Sequence, residues 1–297
     1  MDERPLAGFL NLLKPPGMTS HDVVYQVRRL LPRKTKVGHL GTLDPAATGV
    51  LPVAVGSATR LIPLLPDYGD RMKSYLAEIE LGVTTPSDDL ESEPLERCDV
   101  EALRSSTAAD WAARLAPYQG VLSQVPPQVS AIRKDGQRAY ERARRGQTTE
   151  LEARTVRVAR CDFVSWDPEK ARLRFYLVCS AGTYVRSIAR DLGHDLGVGG
   201  ALAFLIRTHS GPFTLDRCTT LEELRQGGGV AAHLLPEAMP FGELPRRELE
   251  VVEKGRTVRG DFEAGRRYLA SNGLLLGDQE PGVARVEAVF SQGVGAG

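Results

Sequence analysis

Asp44 is the residue whose neighbours best prepare it for chemistry. It lies in Gly38-His39-Leu40-Gly41-Thr42-Leu43-Asp44-Pro45-Ala46-Ala47-Thr48-Gly49-Val50-Leu51, which holds one carboxylate among glycines, small and apolar residues, with no Lys or Arg. Glycine permits backbone conformations and close approaches that a Cβ resists, so another chain can come near Asp44. Local sequence leaves a second reading open, with Asp44 as N-cap and Pro45 as first residue of a helix. Arg186 raises a separate question. Thr183 is a natural N-cap for a helix running to about residue 196, which places Arg186 in the first turn, where the helix dipole disfavours a cation. A carboxylate partner would offset that cost; Asp191 or a glutamate elsewhere could serve. Tyr75, on an alternating segment, is a core aromatic or a stacking surface, and His39 between glycines is a structural histidine or a protruding flat group.

The surrounding motifs favour the chemical reading of Asp44. Upstream stands Asn11-Leu12-Leu13-Lys14-Pro15-Pro16-Gly17-Met18-Thr19-Ser20. Downstream come Lys73-Ser74-Tyr75, Ser130-Ala131-Ile132-Arg133-Lys134-Asp135-Gly136 and Cys179-Ser180-Ala181-Gly182-Thr183-Tyr184-Val185-Arg186-Ser187-Ile188-Ala189-Arg190-Asp191-Leu192-Gly193. In this order, over roughly residues 8 to 212, they resemble the bacterial tRNA pseudouridine synthase B family, which isomerises uridine 55 in the T arm of tRNA. The resemblance implies that Asp44 is the essential aspartate, attacking the nucleotide or abstracting a proton from it. It further implies that Arg186 pairs with Asp44 and that Tyr75 stacks on the target base. Tyr184 becomes a second pocket tyrosine, and His39 fills the space left by the flipped nucleotide. Stacking suits such a task, since a base taken out of its helix loses both neighbours.

Lys14, Arg133, Lys134, Arg138, Arg142, Arg144 and Arg145 are candidate phosphate contacts or solvated surface charges. Asp88 aligns with an acidic residue of the family, although Thr85-Pro86 stands where Thr-Asp is common. At Gln128-Val129-Ser130-Ala131 the chain departs from the family, which usually has an aromatic directly before its Ser-Ala. The implied reaction needs no cofactor and no metal. The implied partner is the T arm of tRNA, with no membrane and no protein partner, so a cytoplasmic monomer is expected.

The bulk properties fit. The chain has 297 residues, long enough for one large domain and a smaller one. Its 38 basic and 38 acidic residues cancel, which by itself argues poorly for nucleic-acid binding. The distribution says more. Residues 1 to 60 carry eight Lys/Arg against four Asp/Glu, and 133 to 160 carry nine against four, whereas 78 to 101 carry nine acids against Arg97 alone. The acidic stretch reads as a solvated loop. Cys98, Cys161, Cys179 and Cys218 are widely spaced, so reduced structural thiols are expected rather than disulfides or zinc.

The elements that must position these residues follow from periodicity. A helix is expected from 21 to 31 with Ser20 as N-cap. A buried strand or a passage into one is expected at 50 to 56, and a strand at 73 to 82 with Glu78 and Glu80 facing water. A helix is expected at 100 to 117 with Trp111 and Leu115 in the core, strands at 154 to 164 and 171 to 180, and a helix at 184 to 196. The fold class is α+β: a pseudouridine-synthase-like mixed, largely antiparallel sheet with flanking helices, plus a small C-terminal β-barrel similar to a PUA domain. The expected domains are a catalytic one at 1–235, with a basic RNA-binding insertion at about 125–148, and an RNA-binding one at 240–297. An RNA-binding chaperone is the rival reading; an intact Asp44, Tyr75 and Arg186 set argues for catalysis.

Overall fold

In the computed structural model of the chain, the described residues are 6–67, 72–129, 133–134, 137–138, 151–226, 228–241, 244–251 and 253–290. The main elements begin with β1 (Gly8–Lys14), α1 (Ser20–Arg29), β2 (Val37–His39), β3 (Thr48–Val55) and β4 (Lys73–Leu81). They continue with α2 (Ala108–Leu115), β5 (Gly120–Gln124), β6 (Arg154–Asp167), β7 (Arg172–Cys179), α3 (Val185–Asp195) and β8 (Gly200–Ser210). Short strands close the chain: β9 (Arg246–Arg247), β10 (Thr257–Arg259), β11 (Arg267–Ala270), β12 (Gly273–Gly277) and β13 (Val283–Val289). Two compact units result. One contains Met1–Pro45, Gly49–Arg71 and Ser210–Gly297; the other contains Ala46–Thr48 and Met72–His209.

In the first unit β1 runs antiparallel to β3, with Leu12 opposite Leu51, and β2 pairs with β3. Both faces of β3 are covered, which is why its sequence is a continuous apolar run rather than an alternating one. Helix α1 lays Val23, Val24 and Val27 against Leu10, Leu12, Leu51 and Val53. Its cap is Thr19, in a reciprocal capping box with Asp22, rather than Ser20 as expected. The hydroxyl of Ser20 is thereby left for another task. The free edge of β1 is stitched to distant chain: Phe9 and Leu235 exchange backbone hydrogen bonds of 2.9 and 2.7 Å, and Thr219 N–H donates to Asn11 O at 2.8 Å.

Gly8 sits where this stitching is tightest. Its φ is +151°, and a Cβ there would lie 2.3 Å from the Leu235 carbonyl oxygen. The C-terminal sheet has the order β9-β11-β12-β13-β10, with β9 parallel to β11 and the other pairs antiparallel. Its Leu269 and Leu274 share one apolar cluster with Phe9, Ala54, Leu61 and Phe213.

The second unit is built on the strand order β8-β4-β7-β6-β5, and the β4–β7, β7–β6 and β6–β5 pairs are antiparallel. Strand β4 alternates as its sequence predicts, burying Tyr75, Ala77, Ile79 and Leu81. Glu78 and Glu80, expected in water, instead hold Arg172, which bridges them at 3.2 and 2.6 Å. The helix expected over 100 to 117 is broken into a turn at Glu101–Leu103 and α2, because Thr107 caps the latter with Asp110. Trp111 and Leu115 are fully buried, with the Trp111 ring centroid 4.7 Å from that of Trp166. Strand β8 has no counterpart in the sequence expectation. The architecture is the expected α+β, mostly antiparallel arrangement with a small C-terminal β sheet.

Candidate active site

The Asp44 turn is held on both sides of Asp44. Ser20 is 2% exposed, and its Oγ accepts from Leu43 N–H at 2.9 Å and donates to Leu43 O at 3.0 Å. On the other side Pro45 O accepts from Lys14 Nζ at 2.9 Å and from Gly17 N–H at 2.9 Å. Gly41 and Gly49 take φ values of +94° and +107°, which a side chain resists. Pro45 leads into a bend and then into β3 at Thr48, so no helix begins there and the capping reading of Asp44 falls away.

Lys14 needs a correction. Instead of an exposed phosphate contact it is 0% exposed, and its ammonium donates to the Pro15 and Pro45 carbonyls at 2.9 Å each. A buried ammonium that donates to the Pro45 carbonyl braces the Asp44 turn from inside the fold. His39 ends β2, and its ring meets His21 edge-on with centroids 5.4 Å apart.

In the second unit the helix carrying Arg186 starts one residue later than expected. Tyr184, not Thr183, is the N-cap of α3, and its side chain makes no capping bond. Arg186 still falls in the first turn and is 5% exposed. Its Nη1 donates to Ser87 O at 2.9 Å, and its Nε lies 3.7 Å from the Asp89 carboxylate. Asp89 thus sets a carboxylate beside the first-turn arginine, while Asp191 pairs with Arg190.

The segment around Asp89 is therefore no solvated loop. Ser87 Oγ donates to Asp89 Oδ1 at 2.6 Å, Thr85 Oγ1 donates to Asp89 O at 2.7 Å, and Asp88 pairs with Arg190 at 3.0 Å. Asp88 has a left-handed φ of +61°. Burial pushes its carboxyl above the usual range, against the pull of Arg190 and Arg186. Asp89 escaped the sequence reading. The signal that could have found it was the unmet charge of Arg186 set beside the only dense run of acids.

Tyr184 is fixed through its backbone. Gln124 Oε1 accepts from Tyr184 N–H at 2.8 Å, and Gln124 Nε2 donates to Tyr184 O at 3.0 Å. Tyr75 is buried in β4 opposite Leu177. Among the basic candidates, Arg133, Lys134 and Arg138 belong to a two-stranded hairpin that pairs Arg133–Lys134 with Gln137–Arg138. Arg142, Arg144 and Arg145 lie outside the described residues. Among the described residues no group of three or more His, Cys, Asp or Glu could hold a metal. Burial pushes the Cys161 and Cys179 thiols up to about 12 and about 11, so both stay protonated.

Comparison with known proteins gives the family and the fold. The family model described as TruB family pseudouridylate synthase (N terminal domain) matches residues 28–185, and that of the tRNA pseudouridylate synthase B C-terminal domain matches residues 186–236. The tRNA pseudouridine synthase B of Carboxydothermus hydrogenoformans is 49% identical over 302 residues, covering 96% of this chain and 99% of that protein. That of Synechococcus sp. (strain WH7803) is 46% identical over 265 residues, covering 88% and 84%. The fold is shared with the crystal structure of a Cbf5-Nop10-Gar1 complex, with a TM-score of 0.67, 24% identity and coverage of 95% of this chain and 84% of that one. The archaeal box H/ACA sRNP Nop10-Cbf5 complex gives a TM-score of 0.62 at 25% identity, covering 95% and 86%. With a family model over more than half its length and relatives at nearly half identity over most of it, the chain belongs to the TruB family of pseudouridylate synthases.

Proposed function

We propose that this chain isomerises uridine 55 to pseudouridine in the T arm of tRNA, with Asp44 as the essential residue. The observation that carries the reading is the Asp44 turn: a carboxylate with no helix to cap, braced on both flanks by Ser20, Lys14 and Gly17. Such bracing is what a reacting group needs and a solvated aspartate does not. The relatives named tRNA pseudouridine synthase B support tRNA as the substrate.

In this reading the target base is flipped out and stacks on Tyr75, with Tyr184 beside it and His39 in the space it vacated. Asp44 attacks the nucleotide or takes its proton. The uracil leaves ribose through nitrogen, turns, and rejoins through carbon, so nothing is oxidised and no external atom enters. Arg186 charge-balances Asp44 and keeps it ionised. Lys14 acts from behind, through the Pro45 carbonyl. The hairpin cations Arg133, Lys134 and Arg138, with Arg142, Arg144 and Arg145, grip phosphates, and residues 240–297 form a second RNA-binding domain. The enzyme works in the cytoplasm as a monomer.

The test is pseudouridine content at position 55 of a transcribed tRNA incubated with the protein. Stoichiometric conversion is expected, and none at all would leave the chaperone reading. Neutralising Arg142, Arg144 and Arg145 together should flatten the salt dependence of tRNA binding by about one unit of slope per lost contact.

A further inference from the structure

Gln124 is a buried neutral side chain that the proposed chemistry does not use. It is 3% exposed and sits at the end of β5. Burying a primary amide is costly unless its donors and acceptor are met. Here it is met by one residue: Tyr184 N–H gives 2.8 Å to Oε1, and Tyr184 O receives 3.0 Å from Nε2. The orientation of the amide follows from chemistry, since a backbone N–H must meet oxygen and a carbonyl must meet NH2. The grip is two-handed, and it fixes the peptide groups on both sides of the Tyr184 Cα.

Tyr184 is also where α3 lacks a side-chain cap of its own. The next residue of β5's chain continues the attachment: Val125 O accepts from Ser187 Oγ at 2.8 Å and from Arg190 Nη2 at 3.0 Å. The first turn of α3, which carries Arg186 between these anchors, is thus held from outside by residues 124 and 125. An apolar side chain of equal size would fill the space but could not set the direction of that turn.

We infer that Gln124 is a positioning residue, whose amide clamp on the Tyr184 backbone aims Tyr184 and Arg186 at the nucleotide. The inference rests on the proposed uridine isomerisation. Two variants separate its parts: Gln124→Met keeps the volume and loses both bonds, and Gln124→Glu keeps the acceptor for Tyr184 N–H while losing the donor.

The experiment compares three readouts at a temperature well below unfolding: kcat on transcribed tRNA, tRNA affinity, and hydrogen exchange of the peptide spanning residues 184–188 in the free protein. Expected for Gln124→Met are a kcat at least tenfold lower, affinity within twofold of the parent, and faster exchange over 184–188, with Gln124→Glu between it and the parent. A folded Gln124→Met variant with parental kcat overturns the inference, as does parental exchange over 184–188. A parent that makes no pseudouridine defeats the functional reading instead, and the exchange comparison then decides the clamp alone.

Discussion

The Asp44 turn and the first turn of α3 are both held rigidly, by opposite means. Around Asp44 the braces are near in sequence: Ser20, Lys14 and Gly17 reach residues 23 to 31 positions away, inside one motif-rich segment. Around Arg186 the braces are remote. Ser87 is 99 residues from Arg186, and Gln124 is 60 residues from Tyr184. The first is a local device carried by a short segment that brings its own support. The second is assembled only when the sheet of its unit is in place.

The comparison can be broken hardest at Asp44. Asp44→Asn should reduce pseudouridine formation by about a thousandfold or more while tRNA binding and melting temperature stay near parental, because Asn preserves shape and loses the charge. Turnover assayed beside filter binding checks this, and near-normal turnover would show the braced turn to be scaffold only.

Arg186→Lys comes next. It keeps the charge but loses the planar fork that reaches Ser87 O and Asp89, so turnover should fall on the order of a hundredfold from misplacement alone. Combined with Asp44→Asn it should add little further loss, since residues acting as one unit are not additive. Multiplicative losses in the double variant would mean the two act independently.

Ser20→Ala sharpens the contrast at smaller cost. It removes both bonds to Leu43 and leaves that N–H buried without its partner, costing about 1–2 kcal/mol of stability. Turnover should drop about tenfold with tRNA affinity unchanged, measured by denaturant unfolding and steady-state kinetics. Unchanged turnover would show that the Lys14 side of the brace suffices.

The smallest effect concerns Asp88. Burial holds its folded carboxyl above the usual carboxylate range, so proton uptake favours the folded state. That contribution is complete below the unfolded pKa and is lost as pH rises through the folded one. The melting temperature of the parent relative to Asp88→Asn should therefore decline from acid toward neutral pH, with Asn tolerating the left-handed backbone equally well. A difference that grows with pH would mean that the Arg190 pair outweighs burial.

The same contrast explains what the sequence made legible. The tight glycine turn that holds Asp44 and the β4 alternation that buries Tyr75 are legible because each lies within a short periodic or motif-bearing stretch. Helix α3 can be located, yet its sequence points to Thr183 as the cap where the structure has Tyr184, because the group that satisfies Tyr184 N–H is Gln124 and not a neighbour. Asp89 is hidden in the sequence, since an acid beside acids looks solvated until a buried arginine is brought to it. Lys14 reads as a surface cation for the same reason: the Pro15 and Pro45 carbonyls that accept from its ammonium meet it only once the turn is folded. Strand β8 was missed because its long apolar and polar run has no clean alternation.

The stitched edge of β1 has a consequence for how the chain is made. The strand that ends in Lys14 is made about two hundred residues before its partners: Asn11 Nδ2 bonds Thr214 O, 203 positions later, and the backbone partner of Phe9 is Leu235. Until those residues have been synthesised, one edge of β1 has no strand to close it. Contacts so distant in sequence slow folding, because loop closure must precede the bonds that reward it. The Asp44 turn, whose braces all lie between residues 14 and 45, can form during synthesis, while β1 is locked only after residues 214 to 235 have followed.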